Sequence, residues 1–233
     1  MQSIPIVYGM TIGEYALMLA GENLLSPQAN AINAYNVTTN PTADTPFHVQ
    51  VIKCKNYDHN TKYILPVMPS PNLKSMQSIY LYPSTCFFEG TLLSEGRGTD
   101  KPFQIFGHPS LPNTLYAFTP KPNAGAKNSK CFYQKCYGWN LSGNNKEVLS
   151  RLNSKSEGYR IQLNYLIEAY KLFPGKDSFF LKNNYINKLA GNDILQQQVK
   201  DGNSEEEIRK SWEPELKEFK ERRKKYLLYK DFE

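Results

Sequence analysis

The pattern of apolar and polar positions near the start of the chain is helical. The apolar positions at helical spacing are Ile12, Tyr15, Ala16 and Leu19. Thr11 followed three residues later by Glu14 is the signature of a capping box, in which each residue satisfies a free amide of the other at a helix start. The sequence therefore predicts a helix within Met10 to Leu25.

The pattern then weakens and becomes extended. Residues 26–45 are rich in proline, asparagine, threonine and alanine, which is typical of a connector. Alternation of apolar and polar residues, with β-branched types, predicts a strand over residues 47–54. Prolines 66, 69 and 71 forbid a central strand or helix, so this stretch should be extended and exposed, with Ser70 and Asn72 available on it.

The middle of the chain combines a buried helix with short strands. The segment "KSMQSIYLYPSTCFFEGT" is apolar enough for a buried helix, which we expect to be interrupted near Pro83. From Pro102 to Leu141, short apolar runs separated by glycine, proline and asparagine predict strands and turns.

The last ninety residues have helical periodicity. One stripe runs from Tyr159 to Phe173, and a second stretch runs from Tyr185 to Lys200. Ser204 and Glu207 should cap a third helix, which Pro214 should kink or restart. The predicted fold class is therefore α+β (mixed α/β), a short-stranded sheet packed with a C-terminal set of three helices.

Composition and charge narrow the function classes. The 233 residues are 40% apolar, enough for a substantial core. The net charge of +6 is uneven, since residues 1–100 hold 5 basic against 7 acidic residues and residues 101–233 hold 23 against 15. A basic surplus favours anionic partners. The basic run near the C-terminus is balanced by acids and no nucleic-acid motif occurs, so nucleic acid is not an expected partner.

Metal and membrane functions have little support. The four cysteines form no C-x-x-C motif, and Cys131 and Cys136 could either pair in an oxidising compartment or remain buried thiols. The histidines are too scattered for a metal motif, so we expect no metal and no cofactor. His108, between a glycine and a proline, is either a structural residue or a catalytic one. We expect neither a signal peptide at Met1 nor a transmembrane segment.

The most polar segment is "FFEGTLLSEGRGTDKPF", residues 87–103. Glycoside hydrolysis usually needs two carboxylates, and Glu89 and Glu95 are close in sequence. They could act in catalysis, hydrogen-bond a ligand, or form internal salt bridges and caps. Arg97 lies between two glycines and could either clamp a carboxylate with its two-pronged guanidinium or tie these glutamates into the fold.

Several segments together resemble a known family. They are "PIVYGMTIGEYA", "PVMPSPNL", "YPSTCFFEGTLLSEGRGTDKPFQIFGHP" and, near the C-terminus, "LAGNDILQQQVKDG" with "IRKSWEPELKEFKERRKKYLLY". In this order they resemble the NamZ-type exo-β-N-acetylmuramidases, from about Ile4 to Tyr229. The resemblance implies a glycosidase that removes N-acetylmuramic acid from the non-reducing ends of peptidoglycan strands. It also implies a periplasmic or extracellular location and muramic-acid saccharides or peptidoglycan fragments as partners.

The resemblance also implies a domain organisation for the chain. Family members are longer, with a Rossmann-like domain before this segment and the glutamate regarded as catalytic within it. Residues 1–45 would then be the end of that domain with its connector, and residues 46–233 a C-terminal α+β domain. The alternative is a non-catalytic glycan-binding or scaffold module, and a third possibility is an anion-binding protein acting through its basic C-terminal helix. The oligomeric state is left open.

The implied substrate contacts extend beyond the polar segment. Glu89 and Glu95 remain candidate catalytic residues, beside the acid expected upstream. The candidate substrate-binding residues are Arg97, Thr99, Ser70, Asn72, Tyr8, Thr11, Glu14 and His108. Tyr8 stands where the family tends to have histidine, and a capping role competes with substrate contact at Thr11 and Glu14.

Overall fold

The computed structural model describes residue 7 and residues 9–31, 50–154 and 158–232. The described residues form two compact units. Residues 64–212 make up one, and the described residues before 64 together with those after 212 make up the other. Helices and a small sheet are both present, so the predicted α+β class is confirmed. The predicted domain boundary after residue 45 lies outside the described residues.

Most of the regular structure is helical. The α-helices, in chain order, are α1 (Ile12–Gly21), α2 (Met76–Thr85), α3 (Asn145–Leu152), α4 (Asn164–Leu172), α5 (Lys176–Phe179), α6 (Tyr185–Ala190), α7 (Ile194–Lys200) and α8 (Glu205–Lys224). Residues 27–31 are also helical, and Cys86–Gly90 form a 3-10 helix. The strands are β1 (Ile105–His108), β2 (Tyr116–Phe118), β3 (Cys136–Asn140), β4 (Asn153–Ser154) and β5 (Gly158–Tyr159).

The strands predicted between residues 102 and 141 form an antiparallel sheet in the order β1-β3-β2. Gly107 of β1 faces Gly138 of β3. A Cβ atom at residue 138 would lie 1.9 Å from the carbonyl oxygen of Phe106, so the close approach of these strands depends on glycine. Phe106 stacks between Phe88 and Trp139, with ring centroids 4.0 and 5.0 Å away, and anchors the sheet in the core of the larger unit.

The helix predicted before the polar segment is α2, but it is not interrupted at Pro83. Ser75 caps its start, and the α-helix runs past the proline to Thr85 before the chain tightens into the 3-10 helix. A proline removes one main-chain hydrogen bond. Here the chain stays α-helical for two residues after Pro83. The 3-10 helix that follows then leads directly into the polar segment.

The three predicted C-terminal helices are more divided than expected. The first begins at Asn164, because residues 158–159 form β5. The second is split into α6 and α7 at Gly191, whose φ of 76° is left-handed. The third, α8, has the predicted capping box, with Glu207 N–H donating to Ser204 Oγ at 3.2 Å, and it continues through Pro214 without a restart.

The smaller unit contains α1 and its predicted capping box, in which the Thr11 amide donates to Glu14 Oε2 at 2.7 Å. The strand predicted over residues 47–54 is wrong for residues 50–54, which are not in a strand and have no ladder partner among the described residues. Residues 47–49 lie outside the described part. Residues 50–54 are held by other contacts. Val51 packs against Gly13, and the Cys54 amide donates to the Tyr229 hydroxyl at 2.9 Å.

Candidate functional site

The polar segment lies beside the sheet. The 3-10 helix carries Glu89, and Ser94 then pairs with Gly107 through two main-chain hydrogen bonds of 2.8 and 3.0 Å. The amide of Phe103 donates to the Glu95 carbonyl oxygen at 2.8 Å and closes the loop that carries Arg97. The backbone around the charged residues is therefore fixed by the sheet.

The glycines that flank Arg97 are required by the loop. Gly96 and Gly98 have φ values of 78° and 81°, in the left-handed region. A Cβ atom at Gly98 would lie 2.7 Å from the carbonyl oxygen of Lys121. Thr99 closes the same turn, because its hydroxyl donates to the Gly96 carbonyl oxygen at 2.6 Å and accepts from the Lys101 amide at 3.0 Å.

Arg97 is tied to both predicted carboxylates. Its Nη2 donates to Glu89 Oε2 at 2.5 Å, and its Nε lies 3.3 Å from Glu95 Oε1. The guanidinium carbon also lies 5.3 Å from the centre of the Phe103 ring, which is within reach of a cation–π interaction. Two ion pairs and a ring therefore restrict the orientation of this side chain.

A fourth charge, which the sequence did not indicate, completes the site. Lys130 Nζ lies 2.8 Å from Glu95 Oε2 and donates to the carbonyl oxygens of Phe88 and Thr91 at 2.7 and 3.0 Å. We call Glu89, Glu95, Arg97 and Lys130 the charge cluster. Two carboxylates and two cations are held together there by short contacts.

The cluster presents its cations to solvent and its carboxylates to the interior. The side chains of Arg97 and Lys130 are 33% and 26% exposed, while those of Glu89 and Glu95 are 14% and 5% exposed. Arg97 Nη1 makes no hydrogen bond to any residue that the structure describes. An incoming anion would therefore meet guanidinium and ammonium groups first, which suits a carboxylate ligand.

Burial raises the pKa of Glu89, and the nearby Glu95 adds to this shift, while Arg97 opposes it. The hydroxyl of Tyr82 donates to Glu89 Oε1 at 3.4 Å. Burial and the charge of Glu89 raise the pKa of Tyr82 to about 12, so this hydroxyl stays a donor through the neutral range. Glu89 is therefore held in an environment that favours its protonated form more than water does.

His108 is the last residue of β1 and makes a local turn. Its Nδ1 accepts from the Ser110 amide at 3.2 Å and lies 2.7 Å from Ser110 Oγ. Burial, with a smaller effect from the charge of Lys130, lowers the pKa of His108, which favours the neutral ring. The imidazole also packs edge-on against Phe173 at 5.1 Å.

Ser70 and Asn72 lie on a groove of the same unit. Ser70 Oγ accepts from the Asn72 amide at 3.2 Å, and Asn72 Nδ2 donates to the Gly125 carbonyl oxygen at 2.8 Å. The groove has a volume of about 440 Å³ and is lined by residues 68–71, Lys74 and residues 124–125. Asn72 thus fastens one wall to the other, while Ser70 belongs to the surface of the groove.

Glu14 is a buried structural centre of the smaller unit. Its carboxylate, 0% exposed, accepts from the Thr11 amide, from the Leu228 amide at 2.7 Å and from His59 Nε2 at 3.1 Å. Burial alone would raise the pKa of Glu14, but the hydrogen bonds from Thr11, Leu228 and His59 outweigh it and lower that pKa. Both oxygens of the Glu14 carboxylate therefore accept hydrogen bonds from other residues of the chain.

The structure brings together Glu89, Glu95, Arg97 and Thr99, as their proximity in sequence suggested. Thr11 and Glu14 belong to the other unit, and Tyr8 lies outside the described residues. Sequence reasoning missed Lys130, which carries no pattern in its loop. It also missed Tyr82, whose spacing of seven residues before Glu89, close to two helical turns, was a usable signal.

Two features are absent from the residues that the structure describes. Among these residues, no group of histidine, cysteine, aspartate and glutamate side chains is arranged to hold a metal ion. None of the helices that the structure describes is both long enough and apolar enough to cross a membrane.

The chain matches one family of known proteins along most of its length. A family model described as "Exo-beta-N-acetylmuramidase NamZ, C-terminal" matches residues 80–229, and its N-terminal counterpart matches residues 1–77. The chain therefore belongs to the NamZ family, and the resemblance inferred from its motifs is confirmed.

Relatives of known sequence or structure agree with this assignment. The chain is 32% identical to the "Peptidoglycan beta-N-acetylmuramidase NamZ" of Bacillus subtilis (strain 168), over 97% of this chain and 51% of that protein. A crystal structure of a DUF1343 family protein from Bacteroides fragilis has a TM-score of 0.79 and 42% identity, over 97% of this chain and 57% of its own. A second B. fragilis DUF1343 structure, with a TM-score of 0.71 and 20% identity over 97% of this chain and 58% of that one, supports the fold alone. The chain thus spans between half and three fifths of the length of these relatives.

Proposed function

We propose that this chain is part of an exo-β-N-acetylmuramidase that acts on the non-reducing ends of peptidoglycan strands, in the periplasm or outside the cell. Membership of the NamZ family and the named activity of the B. subtilis relative support this proposal. In it, the chain supplies the surface that recognises the sugar, and the principal catalytic acid belongs to the domain that precedes this region in longer family members.

The observation that carries the proposal is the orientation of the charge cluster. N-acetylmuramic acid differs from N-acetylglucosamine by a lactyl ether that ends in a carboxylate. Arg97 and Lys130 are the exposed members of the cluster, and they lie above two largely buried carboxylates. A cationic surface of this kind distinguishes the two sugars by charge.

Arg97 is the residue we assign to the lactyl carboxylate. Its Nη2 is engaged by Glu89 at 2.5 Å, which fixes the plane of the guanidinium, and Nη1 remains available on the exposed edge. A planar guanidinium held in one orientation loses little entropy when it binds a carboxylate. Glu95 is buried and Glu89 is half-buried, and both act here by orienting Arg97; a direct catalytic role for either stays a prediction.

The other predicted contacts differ in the support they receive. Ser70 lines an open groove and can donate to a sugar hydroxyl. Thr99 and Asn72 already use their side chains to close loops, and His108 uses Nδ1 in its own turn. Contacts from Tyr8, Thr11 and Glu14 to substrate also remain predictions.

The proposal is tested by calorimetric titration of the chain with N-acetylmuramic acid and with N-acetylglucosamine. We expect tighter binding of the acid, and Arg97→Ala should weaken that binding by about ten- to a hundredfold, the equivalent of one charge-assisted hydrogen bond. Binding of N-acetylglucosamine should change little. Arg97→Lys is the matched control, since it keeps the charge and loses the fork, and should have an intermediate effect.

Equal affinities for the two sugars in the unsubstituted chain would contradict the proposed recognition. Hydrolysis is assayed separately, by incubating longer family members and their Arg97→Ala equivalents with glycan strands that begin with N-acetylmuramic acid. Release of that sugar should fall in the variant while its melting temperature is retained.

A further inference from the structure

Phe103 has a backbone conformation that is rare for its side chain. Its φ of 61° lies in the left-handed region, where a Cβ atom crowds the main chain and an aromatic residue is an outlier. The Gln104 amide donates to the Lys101 carbonyl oxygen at 3.1 Å. This bond closes a turn in which Pro102 is the second residue and Phe103 the third. The third position of a proline turn with positive φ usually has glycine or asparagine, so phenylalanine is strained there.

Two hydrogen bonds hold Phe103 in this conformation. Its amide donates to the Glu95 carbonyl oxygen at 2.8 Å, and its carbonyl oxygen accepts from Thr85 Oγ1 at 3.0 Å. Phe103 is 1% exposed and Thr85 is 0% exposed, so water does not compete for these bonds. Strained residues of this kind persist only where surrounding contacts fix them, and they concentrate at ligand-binding and active sites. The strain therefore indicates a role for the ring that Phe103 places.

The ring of Phe103 contacts both α2 and the charge cluster. Tyr82 of α2 packs edge-on against it, with ring centroids 4.9 Å apart. The guanidinium carbon of Arg97 lies 5.3 Å from its centre. The Tyr82 hydroxyl also donates to Glu89, which accepts from Arg97 Nη2. The ring and the Glu89 carboxylate thus hold the same guanidinium, and Tyr82 supports both.

We propose that Phe103 is a positioning residue for Arg97 and sets the preference of the site for an anionic sugar. A carboxylate holds a guanidinium by taking up its N–H groups, whereas an aromatic ring attracts its charge and uses none of them. Phe103 can therefore restrict Arg97 and leave Nη1 for the ligand. This inference rests on the proposed recognition of the lactyl carboxylate by Arg97.

The order of the Arg97 guanidinium tests the positioning role without any sugar. In the isotope-labelled chain, the Nε–H signal of Arg97 is assigned from its loss in Arg97→Lys, and its heteronuclear NOE is measured by NMR. Phe103→Leu keeps an apolar side chain and the left-handed backbone but removes the ring. The NOE of Arg97 Nε–H should fall in this variant, because the guanidinium gains freedom.

Phe179→Leu is the matched control. Phe179 of α5 is 0% exposed, and its ring packs edge-on against the rings of Phe173 and Phe180 at 5.5 and 4.9 Å. The same substitution there should cost comparable stability and leave the Arg97 signal unchanged. Equal loss of Arg97 order in the two leucine variants would overturn the proposal, because a general loosening of the core would then be the cause.

Thr85→Val keeps the proposal testable even if Phe103→Leu does not fold. Valine is close to threonine in shape but cannot donate to the Phe103 carbonyl oxygen, so Arg97 should lose part of its order. An Arg97 NOE that keeps its parent value in the folded variants among these two would overturn the proposal.

Calorimetric titration of the same variants connects the ring to recognition. The preference for N-acetylmuramic acid over N-acetylglucosamine, expressed as the ratio of the two dissociation constants, should fall about three- to tenfold in Phe103→Leu. It should be retained in Phe179→Leu. A preference that is present in the parent and unchanged in Phe103→Leu would overturn the role in specificity. Equal affinities in the parent would instead contradict the proposed function, and the NMR measurement would still decide whether Phe103 positions Arg97.

Discussion

Lys130 Nζ and Glu95 Oε2 lie 2.8 Å apart, and the glutamate side chain is only 5% exposed. Among the residues that the structure describes, Glu95 has one other cationic neighbour, Arg97 Nε at 3.3 Å. A largely buried carboxylate needs such partners, because the interior cannot replace the water that the charge has lost.

Replacing Lys130 by methionine should therefore destabilise the fold by about 2 kcal/mol, since Glu95 loses its shorter ion pair and two carbonyl oxygens lose a donor. The free energy of unfolding from urea titration measures this loss. Lys127→Met is the control, because Lys127 is an exposed lysine of the same loop. Equal stability of the two variants would mean that the Lys130 contacts contribute nothing measurable.

Gly98→Ala should be more damaging than an ordinary left-handed glycine replacement. Its φ of 81° is matched by Gly202 at 82°, but a Cβ atom at Gly98 would lie 2.7 Å from the Lys121 carbonyl oxygen. A Cβ atom at Gly202 would have no described residue within 4 Å apart from its chain neighbours. Gly202→Ala should cost about 1 kcal/mol from backbone strain alone.

Gly98→Ala should exceed that cost by about 1–3 kcal/mol, because the loop must move to relieve the clash. It should also weaken binding of N-acetylmuramic acid, since the same loop carries Arg97. Chemical denaturation of both variants isolates the steric contribution, and similar losses at the two glycines would show that the loop adapts freely.

Glu89 should make stability fall as pH rises. Burial raises its pKa in the folded chain above the ordinary value of 4.5, so the folded state binds the proton more tightly than the unfolded state does. Its contribution is fully present below about pH 4.5 and is lost as pH rises through the folded pKa.

Glu89→Gln removes this titration. The free energy of unfolding of the parent minus that of the variant should decline as pH rises above 4.5, when urea titrations are run at a series of pH values. A difference that increases with pH would mean that the pairing with Arg97 dominates over burial.

Glu14 has the opposite dependence. Its folded pKa is lowered from 4.5, so its contribution is present above that pH and is lost as pH falls through the folded value. Glu14→Gln should cost about 2–4 kcal/mol at pH 7, because the amide places an NH2 group at one oxygen position, where either the Thr11 or the Leu228 amide already donates. Thermal and urea denaturation measure the loss.

Glu207→Gln is the matched control for Glu14→Gln, because Glu207 occupies the same position of an exposed capping box. Glutamine functions at this position of such boxes, so the control should lose little stability. Comparable losses in the two variants would show that burial of Glu14 is not the cause of its effect.

The features predictable from sequence were those that depend on nearby residues. Both capping boxes and the contacts between Arg97 and its neighbouring glutamates span a few residues, so their geometry follows from local structure. Lys130 reaches Glu95 from a separate loop, and nothing local indicates such a contact. The strand predicted near Val51 failed for a similar reason, because alternation specifies a strand only where a partner edge is available.

Gly107 lies between two main-chain neighbours, and this position limits which residues can replace it. It pairs with Gly138 on one side and exchanges two main-chain hydrogen bonds with Ser94 on the other. A side chain at residue 107 would meet the Tyr137 carbonyl oxygen at 2.2 Å. The backbone shift that relieves this clash would move Ser94 and, with it, the adjacent Glu95. A saturation screen for ligand binding should therefore tolerate as few substitutions at residue 107 as at the charged residues, although glycine has no group that could contact a sugar.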